Sequence, residues 1–381
     1  MADKSNFLSR LFTPIEAPES FVQQHLKGYG SVSTLLINVV TRSDQREITD
    51  CLDKLYDLVA LTTAPHPKRF YLEKIEALRK ELTGAVGRKV LYKRLEVEKI
   101  PFYIHFDSTS VCFIANHDFF SGYTGLLFSK YANCLLKKDQ EKSDAYYSSI
   151  IHIYKGNGQY SNFHRVIGLA QAIFIGLSLR MFNRKENKPN PFLLEGKGCI
   201  KGDLDDIVLV SAKVESSEIS FENVLKSFID NFVSTFERQR ANILITQEFI
   251  HNIPDQGERL AGVGNTASGF YFSLNELSRY QIYLLKRYHI AYYAMVLLNL
   301  LKVEKQVTSS INEDFTFSYL PAREVDCIAT YSITRDALVF VISKASDGYH
   351  IEVAVNEAIF SLDKVVLFLK SFSSEIELSD I

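Results

Sequence analysis

Apolar and polar positions fall in blocks along this chain, and the blocks read as strands and helices. Ser33 to Thr41 is a β-branched run, and behind it Ile48, Leu52, Leu55 and Val59 recur at the three- and four-residue spacing of an amphipathic helix. The pattern predicts strand, then helix, with Pro65 and Pro67 as the stop. A charged stretch from Glu73 to Lys99 reads as solvated helix and strand surface, with a docking patch for an acidic partner as the alternative. The apolar run Val111 to Ala115 then breaks at Asn116-His117-Asp118-Phe119-Phe120-Ser121-Gly122, after which Leu126, Leu127, Lys130, Tyr131 and Cys134 resume helical spacing. His117 therefore falls where a buried strand hands over to a helix, a place that presents side chains at the end of a sheet.

The segment 156–162, Gly-Asn-Gly-Gln-Tyr-Ser-Asn, is dense in turn formers and predicts a linker between an N-terminal lobe, 1–155, and a C-terminal lobe, 163–381. Beyond it the pattern predicts an apolar helix from His164, a polar loop from Asn183 to Asn190, a strand from Ile207 to Val214 and one long helix from Phe221 to Arg240. A glycine-rich segment, Leu260 to Gly269, leads into a strand at Phe270 to Leu274. With no strand read upstream of it, a hairpin is not expected there. A helix through Tyr280 to Leu301 follows. The tail offers strands at Cys327 to Ile333, Ala337 to Ser343 and His350 to Val355, a hairpin signal at Asp347-Gly348, and a helix from Leu362 to Phe372.

Composition narrows the function classes. The 381 residues, 46% hydrophobic and 23% charged, suit two to three folding units and exclude a disordered or collagenous chain. With 43 basic against 45 acidic residues the net charge is -2, so there is no field to gather a phosphate backbone, and nucleic acid is not an expected partner. The five cysteines are scattered and never spaced Cys-x-x-Cys, which argues against a disulfide framework and fits a reducing cytoplasm. Met1 to Asn6 carries no secretory pattern, and Val166 to Leu179 is too short to span a bilayer, so no membrane span is expected. His251, His289 and His350 have no cysteine or carboxylate at ligand spacing, so no metal site is expected.

The segment from His117 to Gly122 resembles the His-x-x-x-Asp-Gly signature of the CoA-dependent acyltransferase superfamily. That superfamily takes in chloramphenicol acetyltransferase, wax ester synthases and peptide-synthetase condensation domains. The element order from about Ser33 to Phe372 is similar too, as is the Gly-Asn strand entry at Val263-Gly264-Asn265-Thr266-Ala267. The resemblance implies an α/β fold of two chloramphenicol-acetyltransferase-like lobes, each a mixed sheet flanked by helices, with a tunnel between them. It also implies acyl transfer from a CoA or carrier-protein thioester to a hydroxyl or amine, with His117 as general base and Gly122 as motif support. Gly264, Asn265, Thr266 and Ser268 would donate to the oxyanion or line the tunnel. An acyl-CoA or phosphopantetheine thioester would be the co-substrate, with no tightly bound cofactor. The partners would be a small-molecule acceptor and an acyl or peptidyl carrier protein. One departure stands out: Ser121 occupies the motif aspartate's place. A decayed relative acting as a binding module is therefore the alternative.

Overall fold

The computed structural model describes residues 33–38, 45–59, 68–81, 100, 102–106, 111–116, 122–155, 170, 188–195, 206–217, 219–248, 267–274, 313–320, 327–334, 337–345 and 347–380. The linker 156–162, the helices expected from His164 and from Tyr280 to Leu301, and the charged stretch 82–99 lie outside these residues. The first elements are β1 (Ser33–Asn38), α1 (Gln45–Val59), α2 (Lys68–Glu81), β2 (Phe102–Phe106), β3 (Val111–Asn116), α3 (Gly122–Lys137) and α4 (Gln140–Lys155). There follow β4 (Ile207–Glu215), α5 (Phe221–Thr235), β5 (Ala241–Glu248), β6 (Ala267–Leu274), β7 (Phe315–Leu320), β8 (Cys327–Ile333), β9 (Val339–Lys344), β10 (Gly348–Asn356), α6 (Leu362–Leu369) and β11 (Ile376–Asp380).

The first sheet runs β2-β3-β1-β8, and every pairing in it is antiparallel. A mixed sheet was expected, and the chain path explains the difference. The connection from β1 through α1 and α2 to β2 does join two strands of the same direction, but β3 slots between them and opposes both. The apolar stripe of α1 packs as its spacing predicts, with Ile48, Leu52 and Leu55 buried. Tyr56 stacks on Phe102 with ring centroids 4.4 Å apart, and its hydroxyl donates to the Phe102 carbonyl oxygen at 2.7 Å. That bond satisfies a phenol which would otherwise be costly to bury. α3 stops at Lys138, whose φ of 58° lies in the left-handed region. The N–H of Asp139 bonds to the Cys134 carbonyl oxygen and that of Lys138 to the Leu135 carbonyl oxygen, the Schellman closure. Asp139 then caps α4, accepting from the Lys142 N–H at 3.2 Å, and that bond holds its carboxyl below the usual range.

The second sheet runs β11-β4-β10-β9-β7-β5-β6 and is mixed, with β7 parallel to both β5 and β9 and the other pairings antiparallel. Helices α5 and α6 cover one face. There Phe192, Phe228, Phe232, Phe315, Phe340 and Phe368 pack edge to face and tilted, with centroids between 5.3 and 6.4 Å apart for the contacts of Phe315. On the opposite face Ile207, Leu209 and Ala354 join the core of the first sheet, together with Tyr331 of β8. Burial on both faces is why β10 reads as an almost continuous buried run rather than an alternating one. Asn190 pins segment 188–195 to this sheet, its amide donating to the carbonyl oxygens of Glu313 and Asp314 at 2.8 and 2.9 Å.

Two expectations for this half change. The helix begun at Phe221 ends at Thr235, not Arg240, because Glu237 adopts a φ of 49° and the Arg238 N–H closes on the Val233 carbonyl oxygen. β5 begins directly after, at Ala241, and pairs antiparallel with β6, so an upstream strand does exist and the two form a pair across a long connection. The hairpin at Asp347-Gly348 joins β9 and β10 as expected. A Cβ at Gly348 would run into the carbonyl oxygen of Val214 on β4, so this position admits only glycine without movement of the backbone.

Candidate functional site

The residues singled out by sequence fall at the ends of two strands, one on each sheet. β3 carries the first group. Its last residue, Asn116, lies opposite Ser33 of β1, and Ser33 in turn lies opposite Ile333, the last residue of β8. The exit of β3 is thus two strands from the exit of β8, about 10 Å at the usual strand spacing. His117 and Ser121 follow directly and lie outside the described residues; Gly122 opens α3.

The exit of β8 is where the chain leaves one sheet for the other. After Ile333, Thr334 is buried and its hydroxyl donates to the Ala337 carbonyl oxygen, closing a tight turn. The Thr316 N–H then takes the Leu338 carbonyl oxygen at 2.8 Å as β9 enters the second sheet beside β7. β8 also packs close to β10 and β9. β3 therefore ends at the end of the first sheet from which β8 leads on to the second.

The second group leads into β6. Gly264, Asn265 and Thr266 lie outside the described residues, and Ser268 is the second residue of β6, paired with Gln247 of β5. Its neighbour Gly269 pairs with Thr246, which pairs on its other side with Ser318 of β7. Thr246 and Ser318 share the face of Leu209 and Ala354, the one turned toward the first sheet, because Ile245 and Phe317 beside them enter the helix-covered core. Both are half-buried, and the Thr246 hydroxyl donates to the Phe317 carbonyl oxygen at 3.3 Å. Neither was legible as one of a facing pair, because the strands that carry them were not. Among the described residues no group of three or more His, Cys, Asp and Glu could hold a metal ion, and no helix is long and apolar enough to cross a membrane.

No family model matches the sequence, and no curated protein matches it either. Solved structures do match, over nearly the whole chain. PapA2 acyl transferase superposes with a TM-score of 0.54 at 10% identity, covering 96% of this chain and 93% of that one. A mutant starter condensation domain of rhizomide synthetase RzmA, in complex with C8-CoA, gives 0.54 at 9% identity and covers 96% of both chains. The epimerization domain from the third module of tyrocidine synthetase B gives 0.53 at 9% identity, covering 95% and 94%. The chain shares the fold of these three proteins, an acyl transferase, a condensation domain and an epimerization domain.

Proposed function

We propose that this chain, built on the fold of condensation domains and acyltransferases, moves an acyl group from a CoA or carrier-protein thioester to a hydroxyl or amine. The observation that supports the reading is the end of β3, which His117 follows in the sequence: it lies at the end of the first sheet from which β8 leads on to the second.

The chemistry follows from the residue types. His117 takes the proton of the acceptor O–H or N–H as that atom attacks the thioester carbonyl carbon, a role suited to imidazole near neutral pH. The carbonyl oxygen becomes an oxyanion, for which Asn265, Thr266 and Ser268 are the candidate donors. Collapse re-forms the carbonyl, breaks the carbon–sulfur bond, and the departing thiolate recovers the proton from the imidazolium. Gly264 lets the thioester arm approach the backbone, and the Ser121 hydroxyl supports the loop in the aspartate's place. A tunnel between the sheets would admit the thioester arm from one side and the acceptor from the other.

Release of CoA thiol from a panel of acyl-CoAs, each with hydroxyl and amine acceptors, tests this directly. Turnover is expected to fall about 100- to 10,000-fold in His117→Ala, with circular dichroism unchanged. Equal rates in the two proteins would overturn it. The Ser121 departure supports the second reading, a binding module, for which no acyl-CoA is turned over by either protein.

A further inference from the structure

We infer that the Thr246–Ser318 pair selects an acyl group that itself carries a hydroxyl or amine, in preference to a plain alkyl chain. The inference rests on the thioester-dependent reading above and adds to it the class of acyl substrate. The two residues face each other across the parallel pairing of β5 and β7, on the side of the second sheet turned toward the first. Next to them in the same register row is Gly269 of β6, which brings no side chain. A glycine inside a strand marks a place where another group approaches the backbone. The row begins one residue after Ser268, so the pair lies on the strand next to the Gly-Asn segment proposed to hold the oxyanion.

The hydrogen-bonding capacity of the pair decides what fits. The Thr246 proton is committed to the Phe317 carbonyl oxygen, so this hydroxyl offers only acceptor lone pairs to a ligand. Ser318 brings one donor and two lone pairs. Acceptors are in excess, and the complementary group is one with a proton to give. An alkyl chain laid here would strip water from both hydroxyls and return nothing, whereas a hydroxyl or amine replaces the water it displaces.

A matched pair of probes, octanoyl-CoA and 3-hydroxyoctanoyl-CoA, separates the outcomes by calorimetric titration of the full chain. The hydroxylated probe is expected to bind about three- to tenfold tighter, the worth of one net hydrogen bond. The double variant Thr246→Val with Ser318→Ala is expected to erase that difference, with octanoyl-CoA bound more tightly than by the native protein because no hydroxyl is left to lose its water. Equal affinity of the two probes for the native protein, or a preference that survives in the double variant, overturns the inference while leaving the thioester reading intact. Binding of neither probe removes both. Should the double variant fail to fold, the Ser318→Ala variant alone must lower the preference.

Discussion

At the scale of single residues, what the sequence reveals depends on whether a residue's role is local. Gly348 is local: a turn pair between two β-branched runs announces the hairpin, and the structure adds only the reason, the carbonyl oxygen of Val214 where a Cβ would go. Gly348→Ala is accordingly expected to destabilise by about 1–3 kcal/mol, since backbone rather than a flexible side chain must give way. A lowered midpoint in guanidinium with an unchanged slope would bear this out, and an unchanged midpoint would contradict it. His117 too is marked by a local break, between an apolar run and a helical one, but it lies outside the described residues. Thr246 and Ser318 are not. Nothing in Ile-Thr-Gln or Phe-Ser-Tyr separates a site residue from a solvated one until the register brings the two threads together.

Among elements, strands and helices bounded by glycine, proline or a β-branched run are found where the pattern places them, as β1, β8, β10 and α6 are. Two of the missed ones share a cause. α4 and β5 each begin just after a helix that ends without glycine, at Lys138 and Glu237, both in the left-handed region where glycine is the usual occupant. With no punctuation, the helix from Phe221 reads on to Arg240, up against the start of β5 at Ala241, and with β5 unread the pairing of β6 is lost too. β11 escaped because its exposed Glu377 disguises a strand at the sheet edge, where such charges discourage further pairing. The same feature can be tested energetically. Glu237→Gly removes the left-handed penalty and is expected to stabilise by about 0.5–1 kcal/mol. Lys138 is the poorer choice, because its ammonium also pairs with Glu47 at 2.7 Å. A thermal midpoint for Glu237→Gly at or below that of the native protein would mean the strain is absent.

For the whole molecule, residues of β4, β8 and β10 share one core with the helices of the first sheet, and this bears on how it unfolds. Burial pushes the Cys51 thiol up to about 12, Tyr131 to about 12, and Tyr56 well above its usual value, desolvation leading in each case. These acids are neutral when folded and ionise more readily when unfolded, so their stabilisation is complete below about pH 9 and is lost as pH rises toward 12. The thermal midpoint is expected to be level up to pH 9 and then to fall; a midpoint that holds to pH 11 would contradict this. The stronger test concerns cooperativity. β8 pairs with β1 in the first sheet, packs close to β10 in the second, and shares its buried Tyr331 with Leu209 and Ala354. Phe102→Ala hollows the first core at a fully buried ring and is expected to cost about 3–5 kcal/mol. If the sheets unfold together, hydrogen exchange must accelerate in β4 and β10 as much as in β2 and β3, although the substitution lies in the other sheet. Acceleration confined to β2, β3 and β1 would instead make the halves independent, and β8 a strap between them rather than a strand of a shared core.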